Sequence, residues 1–417
     1  MKYIKPVMIL SFCAASLMSY AQEKRILTFN EYLNNVKTAN IGYLAEKYNV
    51  DAAEANLKAA RVFPDPELSV SYANNQNWDL RMGYGVDAEL SYTLELGGKR
   101  RARIRVAQSE KEMTSALLDD YFRNLRADAT LAYLAALKQK RFCEIQNSSY
   151  RQMLSLSRAD SIRFRLGAIP EVDARQSKLE AAAMLNEVYA GEGDWREILV
   201  QLSLFQGNNS MELPDSISGE LSYLKREFDL PALIAAAQVN RADLQAALKS
   251  KELSHNNLRL AKANRAIDLG ISLGGGYSSE VLNEIAPAPA FRGITAGIGI
   301  PLKFSNANKG ELHAAQLAVM QSEQQYRAVE LQIAAEVAQA CNRYSTACRQ
   351  AEQFDTGMLD EAEAILKKKI YSYERGETNI LEVLNAQRTC NDIRVSYNET
   401  LYNCAAAWVE LERACGM

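Results

Sequence analysis

The sequence predicts an exported α+β protein in which a helix–strand–strand–long helix unit is written twice. Three observations predict it: an internal repeat, two long stretches free of proline, and four segments that alternate apolar and polar residues at period two. At 417 residues and 48% hydrophobic content the chain has ample material for buried cores, which excludes wholesale disorder. Its 48 Lys and Arg against 51 Asp and Glu leave a net charge of −3, so no nucleic acid partner held by bulk positive charge is expected. Histidine is confined to His255 and His313, which argues against a His-rich metal centre or a Ser-His-Asp triad.

Residues 1–21 read as a secretory signal. Lys2 and Lys5 give the positive start, Pro6 to Ala15 a short apolar segment, and Ser19-Tyr20-Ala21 small residues at −3 and −1 before Gln22. Phe12 before Cys13 is too large for a lipoprotein cleavage signal. No later stretch approaches the ~18 apolar residues of a membrane-spanning helix. The remaining cysteines are Cys143, Cys341, Cys348, Cys390, Cys404 and Cys415, none in a CxxC. Export permits disulfides, and six cysteines allow fifteen pairings. Cys341 and Cys348, seven apart, share one helix face; the expectation is small buried apolar residues rather than a soft-metal site.

The repeat is legible residue by residue. Leu57-Lys58-Ala59-Ala60-Arg61, followed by Glu67-Leu68-Ser69-Val70-Ser71, returns as Leu258-Arg259-Leu260-Ala261-Lys262, followed by Asp268-Leu269-Gly270-Ile271-Ser272. Thr28 and Asp229 stand at corresponding places as N-caps: Thr28 forms a capping box with Glu31, and Asp229 precedes Pro231 in the first turn. Gly167 and Gly207 match Gly376 and Gly416 at a slightly larger offset, which places about eight extra residues in the strand region of the second copy. The expected organisation is a signal over 1–21, a first repeat over 22–207, a linker over 208–228 and a second repeat over 229–417.

No proline occurs from Glu67 to Ile169 or after Pro301. Lys99 to Asp160 therefore reads as one helix of ~90 Å, and Lys309 to Ser372 as another. Tyr326, Val329, Ile333, Val337, Ala340, Tyr344 and Ala347 step by three and four, a coiled-coil period. Leu117, Tyr121, Leu125, Ala129, Ala132 and Ala136 nearly repeat it, and so much alanine allows close approach of neighbouring helices.

Between the helices lie strands. Tyr84, Val86, Ala88, Leu90, Tyr92 and Leu94 are interleaved with Gly85, Asp87, Glu89, Ser91 and Thr93. Ile294, Ala296, Ile298 and Ile300 behave likewise, as do Leu68, Val70 and Tyr72, and Leu269, Ile271 and Leu273. In an exported protein this pattern fits transmembrane barrel strands, lipid on one face and water on the other, with Tyr72, Tyr84, Tyr92 and Tyr277 as interfacial residues. Four strands cannot close a barrel around a channel, and bare edges cannot survive in lipid, so several chains must share one barrel; three would give twelve strands.

Three further motifs carry a family resemblance: Val62-Phe63-Pro64-Asp65-Pro66 before the first strand, Leu94-Glu95-Leu96-Gly97-Gly98-Lys99-Arg100 where strand passes into long helix, and Gly376-Glu377-Thr378-Asn379-Ile380-Leu381-Glu382-Val383-Leu384-Asn385-Ala386-Gln387. Arg165-Leu166-Gly167-Ala168-Ile169-Pro170-Glu171-Val172-Asp173 matches more loosely. Across essentially the whole mature chain the sequence resembles the TolC family of outer-membrane efflux proteins. The resemblance implies a homotrimer with a twelve-stranded outer-membrane β-barrel continuing into a twelve-helix periplasmic tube. It further implies docking to a periplasmic adaptor and to an inner-membrane pump, usually of the resistance-nodulation-division type. Such a protein is a passive conduit for drugs or metal ions, with no cofactor, no bound metal and no catalytic residues.

By the same resemblance, Asp173 and Glu382 fall on the acidic positions lining the closed periplasmic tip. Asn385 takes the place of a second acid and Thr378 that of a basic latch residue. Crowded carboxylates from three copies would attract cations, and like-charge repulsion would raise their pKa values. Arg165, Leu166, Gly167, Ala168 and Ile169, with Arg375, Gly376 and Glu377, become the adaptor-docking tips, the glycines permitting positive φ. Gly97-Gly98-Lys99 lacks the rest of a phosphate loop and reads as a strand-to-helix bend. Lys99, Arg100, Arg101, Arg103 and Arg105 form either a lipid-phosphate contact or a solvated collar, and His313 has no second ligand at metal spacing. A periplasmic coiled-coil adaptor or scaffold is the competing reading; it would lack the two strand pairs.

Overall fold

The computed structural model describes residues 25–75, 81–208, 213–223, 225–302 and 308–417. The expected signal, with Cys13, lies outside them, as does part of the expected linker. In chain order the elements are β1 (Ile26–Leu27), α1 (Phe29–Ala39), α2 (Ile41–Ala60), β2 (Glu67–Asn74), β3 (Tyr84–Leu94), α3 (Lys99–Arg165), α4 (Glu171–Phe205), β4 (Ser216–Ile217), α5 (Leu230–Asn240), α6 (Ala242–Ala263), β5 (Leu269–Ser278), β6 (Phe291–Gly299), α7 (Lys309–Phe354), α8 (Met358–Glu374) and α9 (Ile380–Cys415). No helix among the described residues is long and apolar enough to cross a membrane.

The elements fall into two compact units. One holds the chain through Val36 with Ala132–Ser222 and Gly357–Tyr402; the other holds Lys37–Leu131, Tyr223–Thr356 and Asn403–Met417.

The second unit contains the sheet. Its order is β2-β3-β5-β6, antiparallel throughout, so the hairpin of the first half and that of the second meet at β3 and β5. Register places Leu68 opposite Leu90, Leu90 opposite Leu273, and Leu273 opposite Ala296. Because directly paired residues share a face, Leu68, Val70, Tyr72, Val86, Leu90, Ile271, Leu273, Ile294 and Ile298 form one apolar surface. Ser69, Ser71, Asp87, Glu89, Ser91, Ser272 and Thr295 belong to the other. Among the described residues nothing covers the apolar face: Ile294 is 86% exposed, Ile298 72% and Leu68 67%.

Below the sheet in sequence, helices α5, α7 and the end of α9 pack around Ile333, Val337, Ala340, Tyr344, Ala347, Cys348, Cys404 and Leu411, the period of three and four read in α7. Phe228, Tyr344 and Trp408 cluster at its margin, with ring centroids 5.5–5.9 Å apart. Arg241, buried between α5 and α6, is held by Asp243 at 2.5 Å and Glu336 at 2.6 Å and donates to the Ala414 carbonyl.

The first unit contains the helical hairpins. There β1 and β4 pair in parallel, and the Tyr133 hydroxyl donates to the carbonyls of Leu27 (3.0 Å) and Ser218 (2.7 Å). Met153 of α3, Ala181 and Met184 of α4, Tyr373 of α8, and Ile380, Val383 and Leu384 of α9 form its core.

Several expectations hold. α3 is a single helix of 67 residues. Thr28 Oγ1 accepts from the Glu31 amide at 3.3 Å. The extra residues of the second half fall in the hairpin, 279–290 against 75–83, and in the strand-to-helix connection, 300–308 against 95–98. Asp229 stands at the N-cap of α5 with Pro231 in the first turn, as expected, and its side chain makes no capping bond. One expectation does not hold. The helix expected over 309–372 is broken: α7 ends at Phe354, and Gly357, at φ 99°, opens α8. The Thr356 hydroxyl donates to the Gln353 carbonyl at 2.6 Å, closing the turn. A lone glycine inside a helical pattern costs only about 1 kcal/mol, so the periodicity on either side gave no warning of the break.

Candidate functional site

The candidate site lies at the hairpin turns of the first unit, built by two glycines. α3 ends at Arg165, and Gly167 follows at φ 73°; α8 ends at Glu374, and Gly376 follows at φ 78°. In the first turn the Gly167 amide donates to the Phe164 carbonyl (2.9 Å) and the Ala168 amide to the Arg163 carbonyl (2.8 Å). In the second, Gly376 donates to Tyr373 (3.0 Å) and Glu377 to Ser372 (2.9 Å). This paired 5→2 and 6→1 bonding satisfies the last carbonyls of each helix and requires the left-handed backbone that glycine adopts without strain. Gly207 and Gly416 close α4 and α9 in the same way. A Cβ on Gly167 or Gly376 would meet nothing within 4 Å, so within the chain these glycines serve the turn itself.

The turns present their residues to solvent. Arg165, Leu166, Gly167 and Ala168 are exposed and Ile169 is half-buried; Arg375, Gly376 and Glu377 are exposed. Leu166 is an apolar side chain 78% exposed among the described residues. The Arg375 guanidinium lies over the Tyr371 ring at 4.3 Å.

Each turn leads into a helix whose first turn carries the predicted acid, Asp173 in α4 and Glu382 in α9. Both therefore stand where the helix dipole favours a negative charge. At the position preceding each helix the halves differ: Asn379 Oδ1 accepts from the Glu382 amide at 3.1 Å, whereas Pro170 has no side-chain cap to offer. Asp173 is half-buried, and Glu382 and Asn385 are exposed.

Within the single chain Glu382 has a cationic neighbour rather than a second carboxylate. Its carboxylate is bonded to the Lys369 ammonium, and this hydrogen bond, then that from Thr378, then the Lys369 charge, hold its pKa below the ordinary glutamate range. The cationic neighbour on α8 gives the glutamate the opposite shift to the one that like charges would impose.

A second acid, not singled out from the sequence, carries the upward shift. Asp160 of α3 is fully buried, accepts from the Tyr373 hydroxyl of α8 at 3.0 Å and lies 3.8 Å from Arg163. Burial pushes its carboxyl up, against bonds from Ser177 and Tyr373 and the Arg163 charge that favour the anion; the Asp173 charge adds to the rise. Burial, and then the Asp160 charge, raise the Tyr373 phenol as well. Arg163 completes the group, donating to the carbonyls of Tyr373 (3.3 Å) and Glu374 (3.4 Å) with its guanidinium 4.9 Å from the Tyr373 ring. Further along, Arg388 pairs with Glu180 at 2.9 Å. These contacts tie α3 and α4 to α8 and α9 immediately beside both turns. Tyr373 of α8 packs in one core with Ile380, Val383 and Leu384 of α9. Its partner is 213 residues away, and no local pattern announces that.

The basic cluster at the head of α3 is built into the fold. Lys99 Nζ is 2.6 Å from Asp268 and nearly buried, Arg103 forks onto Glu95 at 2.7 Å, and Arg100 donates to the Arg61 carbonyl and stacks on Phe63 at 4.0 Å. These three bind protein partners within the chain. Gly97 and Gly98 take φ of 71° and 73°, making the strand-to-helix bend. Among the described residues no group of three or more His, Cys, Asp or Glu is arranged to hold a metal ion.

An exposed amphipathic sheet and long helical hairpins closed by glycine turns define the class: outer-membrane channel proteins whose barrels continue into helices. The chain belongs to the outer membrane efflux protein family, which matches residues 44–208 and 233–417. It is 25% identical over 400 residues to the cobalt-zinc-cadmium resistance protein CzcC of Cupriavidus metallidurans, covering 94% of this chain and 90% of that protein. Among solved structures it resembles the Campylobacter jejuni CmeC outer membrane channel, with a TM-score of 0.75 at 16% identity over 93% of this chain and 85% of that one. It also resembles the outer membrane protein VceC of Vibrio cholerae, with a TM-score of 0.71 at 17% identity over 93% and 95%. The place of the protein is the outer membrane, within an efflux family of tripartite systems. Family and strands together overturn the competing reading of a periplasmic adaptor.

Proposed function

We propose that the protein is the passive exit duct of a tripartite efflux system, three copies completing one twelve-stranded barrel in the outer membrane and one twelve-helix tube in the periplasm. The observation that carries this reading is the four-stranded sheet: one apolar face uncovered, and β2 and β6 each paired on one side only within the chain. Strands of 8, 11, 10 and 9 residues suit the roughly 9–11 needed to cross at a tilt. Two chains would give eight strands, a barrel filled by its own side chains; three give twelve and room for water. Tyr72, Tyr84 and Tyr277 lie side by side on the apolar face, with centroids 6.0–6.3 Å apart, as an interfacial row.

In this reading residues 1–21 direct export, residues 22–207 and 229–417 are the two repeats, and 208–228 links them. The turns Arg165–Ile169 and Arg375–Glu377 meet a periplasmic adaptor, which couples the duct to an inner-membrane pump of the resistance-nodulation-division type. Asp173, Glu382 and Asn385 line the narrowing between the hairpins. Cargo is a metal ion or a drug selected by the pump; the name of CzcC as a cobalt-zinc-cadmium resistance protein favours metal ions. The work of the protein is conduction, and the energy comes from the pump.

Planar bilayer recording tests the proposal. Purified protein is expected to give long-lived channels of uniform conductance; a preparation that inserts without conducting contradicts the duct. For docking, Gly376→Trp is expected to abolish export while the oligomer still reaches the outer membrane, since a side chain there has open space within the chain. Intact export in that variant would contradict a docking role.

A further inference from the structure

In the core of α5, α7 and α9 two thiols meet. Cys348 of α7 and Cys404 of α9 are 2% and 1% exposed, and their Sγ atoms lie 3.0 Å apart. The other cysteines have different surroundings: Cys143 donates to the Gly191 carbonyl, and Cys390 is packed with Ala362 and Leu366. Cys341 and Cys415 belong to the same core as the pair. We infer that Cys348 and Cys404 are joined by a disulfide in the exported protein, a covalent staple between α7 and α9.

The contact leaves the sulfurs roughly 1 Å from the ~2.05 Å bonding distance. The chemistry of the pocket favours the neutral disulfide over a metal dithiolate. Val337, Ala347 and Leu411 supply an apolar surround, and burial, with the Cys348 contact, pushes the Cys404 thiol up to about 12. Two thiolates in that environment would carry the full cost of desolvation, and no third ligand is arranged beside them among the described residues. The compartment is oxidising, as befits an outer-membrane protein.

A thiol held so far from its thiolate is a poor nucleophile, so the bond forms while the chain is folding and the thiols are still solvated. The oxidant is a protein disulfide of the exported compartment. One cysteine thiolate attacks it, giving a mixed disulfide and releasing one donor thiolate. The second cysteine then attacks the mixed disulfide and releases the other. The two cysteines lose two electrons and their two protons; the donor gains both and leaves as a dithiol. The staple encloses residues 349–403, a segment that includes α8, the Arg375–Glu377 turn and Glu382. Closing so long a segment strongly restricts the unfolded chain.

The test uses full-length protein extracted from outer membranes. Free thiols are alkylated under denaturing conditions without reductant, and peptides are then mapped by mass spectrometry. A linked Cys348–Cys404 peptide pair, lighter by two hydrogens than its reduced parts and separated by reductant, is the expected result. Complete alkylation of both thiols overturns the inference. So does a link from either cysteine to Cys341 or Cys415, or a soft metal ion released on unfolding from thiols that then alkylate. A second arm compares thermal midpoints. Reductant applied during refolding is expected to lower that of the wild type by several degrees and to leave Cys348→Ala/Cys404→Ala unmoved; equal response of the two proteins overturns the staple.

Discussion

The two hairpin turns share a backbone and differ in their electrostatics. Gly167 and Gly376 close their helices with the same pair of bonds, and each turn is followed by a helix with an acid in its first turn. Beside the first turn an acid is buried: Asp160, pushed up by desolvation and held by the Tyr373 hydroxyl. Beside the second the acid is exposed: Glu382, pulled down by Lys369 and capped through Asn379. Repetition of the sequence preserves the turn geometry, because glycine and helix ends act locally. Charge environment is set by whichever side chain the packing brings near, and there the halves have diverged.

The largest expected effect breaks the buried side of this comparison. Tyr373→Phe removes the hydroxyl that Asp160 accepts from and leaves a buried carboxylate short of a donor, at a cost of about 1–3 kcal/mol. Chemical denaturation checks the loss, and bilayer recording should report more frequent opening, because the bond ties α3 to α8. Gly167→Ala and Gly376→Ala sharpen the shared side. Each forces a Cβ into the left-handed region at about 1–2 kcal/mol, and near-equal losses in the two variants are expected. A large inequality would mean that one turn carries further contacts.

The pH dependences should oppose one another. Asp160 has a raised folded pKa, so the native state keeps a proton over a window in which the unfolded chain has lost it. Stability therefore falls as pH rises from the ordinary aspartate value through the raised one. Asp160→Asn keeps an acceptor for Tyr373 and should flatten that slope, read from denaturation midpoints across mildly acidic pH. Glu382 has a lowered folded pKa, so its small contribution is present above the ordinary glutamate value and disappears as pH falls through the folded one. Glu382→Gln, at an exposed and solvent-screened pair, should leave stability unchanged. Its effect belongs to conduction: weaker cation selectivity and weaker divalent block, with Asp173→Asn acting in the same direction. Unchanged selectivity in both variants would remove these acids from the narrowing.

What the sequence disclosed and what it hid divide along the same line. Alternation in Tyr84–Leu94 and its three counterparts prescribed strands, because period two is a property of one segment. The unbroken α3 followed from the lack of proline, and Gly167 and Gly376 announced their turns. Choice of partner across the chain was not legible. Lys99 and Arg103, read as a lipid-phosphate contact or a solvated collar, meet Asp268 and Glu95 within the chain; Glu382, read for its place among three copies, meets Lys369 within its own. Asp160 met Tyr373, and Cys348 met Cys404, from positions whose local sequence gives no hint of the meeting. The break at Gly357 escaped notice for the converse reason, since the helical period continues on both sides of it.

The most direct measurement of the central claim is the mass of the detergent-solubilised particle, with bound detergent accounted for. A sheet with an uncovered apolar face and two open edges calls for neighbours, and the mass should equal three chains. A stable monomer, or protein that stays dispersed without detergent, would contradict it.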